Sequence, residues 1–209
     1  MNISLKLLAS VMLLALTSAM AAAQEQVTRH HHFDTTDVDR LIIDFRVGTI
    51  RLESSDSNQI DIELTIKPEN NRSLFRRSPD IQSMDLSHHS GPGTLRIGFD
   101  GNNVRTDWVI RLPALAYLEI DGGVGTIEGD LPSAAVDINL GVGAVDLVAH
   151  RTSTGAIDLD ARVGDTSLSG NASETQRRAL VSSSSSGHGR GEHRTRIRVG
   201  VGDVSLHLQ

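Results

Sequence analysis

Five stretches of this chain carry an alternating apolar pattern that reaches a glycine and then resumes with the opposite parity. Leu41, Ile43, Phe45 and Val47 precede Gly48-Thr49, and Ile50 and Leu52 follow. Leu118, Ile120 and Val124 precede Gly125-Thr126 and Ile127, while Val136, Ile138, Leu140 and Val142 precede Gly143-Ala144, Val145 and Leu147. Ile157, Leu159, Ala161 and Val163 lead to Gly164-Asp165, Thr166 and Leu168, and Ile197, Val199 and Val201 lead to Gly202-Asp203, Val204, Leu206 and Leu208. A strand shows one face through every second residue, so a parity switch means the chain bends and resumes facing the same core. Glycine suits such a bend because it reaches positive φ without steric cost. Gly48, Gly125, Gly143, Gly164 and Gly202 are therefore expected to be bend glycines, with Val201 and Val204, and their equivalents, on one core. Helical spacing is poor throughout these stretches.

The bend glycines are separated by 77, 18, 21 and 38 residues. These intervals approximate multiples of about 19, the signature of a solenoid with one coil per repeat. The first and last gaps then require coils without the motif. Ile60 to Ile66, Leu95-Ile97 and Trp108-Ile110-Leu112 are candidates in the first gap, and Ala179-Leu180-Val181 in the last. The expected fold is all-β, a β-solenoid with coils of about 18–21 residues, ending in the coil Ile197–Leu208. Polar, proline-bearing Lys67 to Asp80 reads as a loop insertion. Residues 182–196, with five serines before a Gly/His-rich run, read as a second, mobile one. Outward residues such as Asp137, Asn139, Asp146, Asp158 and Asp160 keep the surface wet.

The chain opens with Lys6, an apolar run from Leu7 to Leu16 and Ala21-Ala22-Ala23, the layout of a secretory signal peptide cleaved before Gln24. The run is short for a membrane anchor of about 20 residues. Cleavage at 1–23 leaves one domain, 24–209, for the periplasm or cell surface, with no stable membrane insertion. It takes the net charge from −6 to −7, because Lys6 is the one charged residue removed. That balance disfavours a nucleic-acid partner. Without cysteine, the domain folds without disulfides in an oxidising compartment.

No Gly-x-Ser-x-Gly, His-Glu-x-x-His or cysteine signature is present, so no catalytic, cofactor-binding or metal residue is assigned. Adjacent histidines on a strand face opposite ways, so of His30-His31-His32 only His30 and His32 share a face. His88-His89, His150, His188, His193 and His207 read as solvated polar positions. The segment Gly122 to Asp130 approaches a calcium-binding β-roll repeat but lacks aspartate at the ligand spacing. Asp158 and Asp160 share a face through alternation alone. Arg72, Arg76 and Arg77 form a basic cluster that could contact an anionic partner.

Asp107-Trp-Val-Ile-Arg-Leu-Pro113, Gly123-Val-Gly-Thr-Ile-Glu-Gly129 and Val199-Gly-Val-Gly-Asp-Val-Ser-Leu206 resemble the bacterial toastrack, or putative-adhesin, domain family of unknown function. The likeness covers roughly Phe33 to Gln209. It implies a β-solenoid resembling a single-stranded right-handed β-helix on an exported or envelope protein, and brings no catalytic residues. Only Gly164-Asp165 and Gly202-Asp203 keep the Gly-Asp pair; Thr49, Thr126 and Ala144 replace the aspartate elsewhere. The expected function is non-catalytic: a surface for adhesion, scaffolding or envelope-stress sensing, with an envelope protein or polymer as partner and no cofactor. The alternatives are an enzyme acting on an extracellular polysaccharide, and self-association through solenoid ends, where Val204, Leu206 and Leu208 would form the open terminus.

Overall fold

The computed structural model of the chain describes residues 26–69, 79–170, 175–178 and 181–209. The expected signal peptide, Arg72, Arg76, Arg77 and the first two residues of the expected strand Ala179-Leu180-Val181 lie outside the described residues, and Val181 is exposed in a bend, outside any strand. Among the described residues the protein is all-β, with one 3-10 turn at Ile81–Ser83 and no α-helix. In chain order the strands are β1 (Val27–Asp34), β2 (Val38–Ser54), β3 (Gln59–Pro68), β4 (Ser87–Gly91), β5 (Gly93–Phe99), β6 (Val104–Leu112) and β7 (Tyr117–Asp130). They continue as β8 (Ala135–Ala149), β9 (Thr154–Val163), β10 (Thr166–Ser169), β11 (Thr175–Arg178), β12 (Ser183–His188) and β13 (His193–Leu208). All belong to one open sheet whose main path runs β1-β3-β6-β2-β7-β8-β13-β9-β12-β11.

The centre of that path is a parallel stack in strict register, with Gly48 opposite Gly125, Gly125 opposite Gly143 and Gly143 opposite Gly202. Before the bend, Ile43, Ile120, Ile138, Ile197 and Leu159 form one buried column. After it, Ile50, Ile127, Val145, Val204 and Thr166 form another. Each strand thus contributes inward residues to both sides of one core. Burying each such aliphatic chain contributes about 1.5–3 kcal/mol, and none of the strands could bury its face alone. Gly122 faces inward in the column of Phe45 and Leu140, and its missing side chain leaves room for the Phe45 ring.

The bend falls two residues earlier than the alternation suggests. Phe45, Leu140, Val199 and Ala161 are the last buried residues before it. Val124, Val142, Val163 and Val201 are 44–48 % exposed, and Val47 is partly exposed. The valines expected in the core therefore point outward from the corner, and the core resumes at Ile50, Ile127, Val145, Thr166 and Val204. The glycine behind each valine is set by crowding. Gly143 has φ 142°, and a Cβ on it would lie 1.7 Å from the carbonyl oxygen of Gly125. The same closeness links Gly202 to Gly143 and Gly164 to Gly202.

The order of the stack also differs from chain order. β13 pairs with β8 on one side and with β9 and β10 on the other, so the final repeat is inserted between two earlier ones. Val204, Leu206 and Leu208 are buried, which removes them as an open end for self-association. In the first gap, β5 and β6 pair in parallel with the first and second halves of β2, standing in for one repeat whose corner is Asp100 to Asn103. Ile60 to Ile66 instead lie in β3, antiparallel to both β1 and β6. Two expected loops shrink: Lys67 and Pro68 end β3, and most of the serine tract forms β12, antiparallel to β9 and β11. Ser183 and Ser185 face inward, where both hydroxyls bond Thr166 Oγ1 at 2.9 and 2.8 Å. Those bonds satisfy polar atoms whose burial would otherwise cost about 1–3 kcal/mol each.

Candidate binding groove

The strands bend in the same place, so the outer residues just before the bend line up across the stack. Asp44, Asp121, Asn139, Arg198 and Asp160 form one row in register. Two residues further, Arg46, Gly123, Gly141, Gly200 and Arg162 occupy the turn itself. A Cβ on Gly141 would lie 2.6 Å from the Gly123 carbonyl oxygen, and one on Gly200 2.5 Å from that of Gly141. These turns stack too closely for side chains, and the bare backbone leaves a groove of about 820 Å³ across the sheet. Its lining includes the aspartate row, the glycines, Arg46, Arg162, Arg198, Phe45 and Phe99. One residue beyond Gly123, Gly141, Gly200 and Arg162 stands the row of outward valines 124, 142, 201 and 163.

The groove's charges are unevenly satisfied. Asp44 receives Arg96 Nη1 at 2.8 Å, Arg46 Nη1 reaches Asp100 at 2.9 Å and Asn102 at 3.2 Å, and Arg198 Nη2 binds Asp137 at 2.8 Å. Among the described residues Asp121 has no cationic contact; it accepts Asn139 Nδ2 at 3.0 Å and shares a hydrogen bond with the Glu119 carboxyl. Partial burial pushes the Asp121 carboxyl above its ordinary value, the Asn139 hydrogen bond opposes this, and the nearby charges of Glu119 and Asp44 add to the rise. Beside it, Arg40 lies over the Tyr117 ring at 4.5 Å and pairs with Glu119.

The other candidate residues fall elsewhere. Gly48, Gly125, Gly143, Gly164 and Gly202 form the inner glycine column of the corner, behind the valines. The Gly-Asp aspartates have a structural contact: Asp203 Oδ1 accepts the Asp165 N–H at 2.9 Å. His31 Nε2 meets Asp85 Oδ1 at 2.8 Å and His32 Nδ1 meets Asp61 Oδ1 at 2.6 Å, tying β1 to its neighbours. His207 Nδ1 bonds Ser169 Oγ at 2.9 Å. No group of three His, Cys, Asp or Glu among the described residues could hold a metal ion. Asp158 pairs with Arg194 at 2.6 Å, whereas Asp160 lines the groove. The outer glycine column was visible in the sequence as the first glycine of Gly-Val-Gly in three of five repeats, but the alternation does not single it out.

No family model matches the chain. Nor does any curated protein. Among solved structures, a putative cell adhesion protein from Clostridium sporogenes superposes with a TM-score of 0.54 at 13 % identity, over 88 % of this chain and 100 % of that one. A putative adhesin from Bacteroides fragilis matches at 12 % identity over 88 % and 98 % of the two chains, with a TM-score of 0.30. One from Parabacteroides distasonis matches at 11 % identity over 88 % and 71 %, with a TM-score of 0.32. The first of these shows that the chain shares its fold with that protein, and its name agrees with the family likeness carried by the Gly-Val-Gly segments.

Proposed function

We propose that this is an exported, non-catalytic envelope protein of the periplasm or cell surface. It presents one face of a β-solenoid to an envelope protein or polymer, for adhesion, scaffolding or envelope-stress sensing. The observation that carries the reading is the row of outward valines beside a groove floored by bare glycine backbone. Core formation does not need valine there, and a contiguous exposed apolar row marks an interaction surface. The solenoid reading rests on the register: Tyr117 opposite Ala135 makes a coil of 18 residues. Export rests on the amino-terminal segment, and the acidic balance disfavours nucleic acid. A photo-crosslinking residue at position 142 or 201 should capture a reproducible partner in cells, and one at the outward position 146 should not. Equal capture at all three positions, or none, would refute the surface.

One observation favours the alternative enzyme acting on extracellular polysaccharide. Asp44 and Asp121 are register neighbours in unlike environments, one paired to Arg96 and the other raised by burial, a pattern seen in glycosidase acid pairs. Here they stand side by side on one sheet face, whereas a glycosidase carboxyl pair flanks the scissile bond. Release of reducing ends from envelope polysaccharides, lost in Asp121→Asn, would establish the enzyme and overturn the binding reading.

A further inference from the structure

We infer that the groove is a site for an extended peptide segment carrying a lysine or arginine, whose cation meets Asp121 and whose aliphatic side chains lie on Val124, Val142 and Val201. This rests on the binding reading above and names the ligand's chemistry. Three observations lead there. First, Asp121 is an acceptor that no cation among the described residues meets: Asn139 and Glu119 supply its hydrogen bonds, and Asp44, its neighbour in register, is already held by Arg96. A ligand cation would complete a charge-assisted pair.

Second, the exposed apolar row next to the groove, the valines that directly follow its lining residues Gly123, Gly141 and Gly200, is aliphatic and carries no ring. Phe45 and Phe99 line the groove but are only 4 % and 7 % exposed, too little ring surface for a sugar to stack on. The valines, 44–48 % exposed, offer what Val, Leu or Ile side chains can cover.

Third, the dimensions suit a strand-like ligand and not a second copy. From Asp121 on β7 to Arg162 on β9 is three strand spacings, roughly 14 Å, the length of about four extended residues. The groove volume of about 820 Å³ falls within the ~300–1,000 Å³ usual for small-ligand sites. A row of half-exposed valines one side chain wide covers far less than the ~800 Å² per partner of a stable dimer. Arg162, at the far end of the groove, can take the segment's carbonyl or carboxylate oxygens.

The test is fluorescence polarisation of the whole secreted chain with a labelled Val-Lys-Val-Lys-Val peptide, acetylated and amidated, and with its Gln and Glu counterparts. The lysine peptide should bind about tenfold more tightly than either. Asp121→Asn should abolish that preference while leaving the glutamine peptide unchanged, and Val142→Ser/Val201→Ser should weaken lysine and glutamine peptides alike. Both substitutions are at the surface, and a native circular dichroism spectrum with a cooperative melt confirms that they fold. Equal affinity for all three peptides, or lysine binding indifferent to Asp121→Asn, would overturn the inference. So would oligosaccharide binding that Val142→Ser abolishes. If every peptide fails while crosslinking at position 142 still captures a partner, the ligand class is wrong and the surface stands. If crosslinking also fails, the surface itself is wrong.

Discussion

Replacing Gly143 by valine should damage the fold far more than replacing Asp146 by valine three residues on. A Cβ at position 143 would sit 1.7 Å from the Gly125 carbonyl oxygen, so adjoining corners would have to separate by on the order of 1.5 Å to reach ordinary contact. The φ of 142° adds about 1–3 kcal/mol of backbone strain for a residue with a side chain. Opening the rung would weaken two or so ladder hydrogen bonds, each contributing about 0.5–1.5 kcal/mol. The sum is about 2–6 kcal/mol, and a domain of this size loses about 2–4 °C of melting temperature per kcal/mol, so a drop of roughly 4–24 °C is expected. Asp146 is exposed, and substitution there should stay within about 0.5 kcal/mol. Trp108, the sole tryptophan and fully buried, gives the readout: its emission shifts red as the core opens in urea or on heating. Gly91→Ala is the control for glycine itself, since a Cβ there meets nothing within 4 Å. If Gly143→Val melts within 2 °C or so of Asp146→Val, the crowded corner is wrong.

Three further outcomes follow from side chains at the site and in the core. The Asp121 carboxyl is raised above its unfolded value, so the folded chain holds more protons across that interval and stability falls as pH rises through it. Asp121→Asn should remove that slope, seen as a flatter plot of urea midpoint against pH above the ordinary aspartate range. Thr166→Val should cost about 1–3 kcal/mol by stranding the Ser183 and Ser185 hydroxyls, and adding Ser183→Ala and Ser185→Ala should restore part of the loss in denaturant titrations. Trp108→Phe should destabilise the core and leave Thr106 Oγ1 without the indole N–H it accepts at 2.8 Å, read as a lower melting temperature by circular dichroism.

Much of the architecture was legible because alternation reports burial directly. Leu41, Ile43, Ile50 and Leu52 face the core as their spacing implies, and the in-register glycines follow from five copies of one motif. Three features were hidden. Alternation locates a bend only to within the few residues where parity changes, so it could not tell whether Val142 or Leu140 was the last inward residue. Repeats with equivalent corners can stack in any order, and nothing in the local sequence places β13 between β8 and β9. Ser183 and Ser185 alternate inward as surely as any leucine, but small hydroxyl side chains give no hydrophobic signal. The groove was hidden for a related reason: its floor is defined by missing side chains, and its acidic row looked like ordinary solvated carboxylates.

The central claim is that the corners stack with the C-terminal repeat inside and the valines outside. The protein has no cysteine, which allows a direct measurement with paired substitutions. Val142 and Val201 are opposite one another on β8 and β13, and Val201 is opposite Val163 on β9. Neighbouring strands lie about 4.8 Å apart, within the ~4.4–6.8 Å that a disulfide spans between Cα atoms. Under mild oxidation Val142→Cys/Val201→Cys and Val201→Cys/Val163→Cys should each form a disulfide in the folded protein, while Val142→Cys/Val163→Cys, two strands apart, should not. Single cysteines at these positions should react with a thiol reagent without denaturant. Bridging of 142 to 163 but not to 201, or thiols that react only after unfolding, would contradict the account.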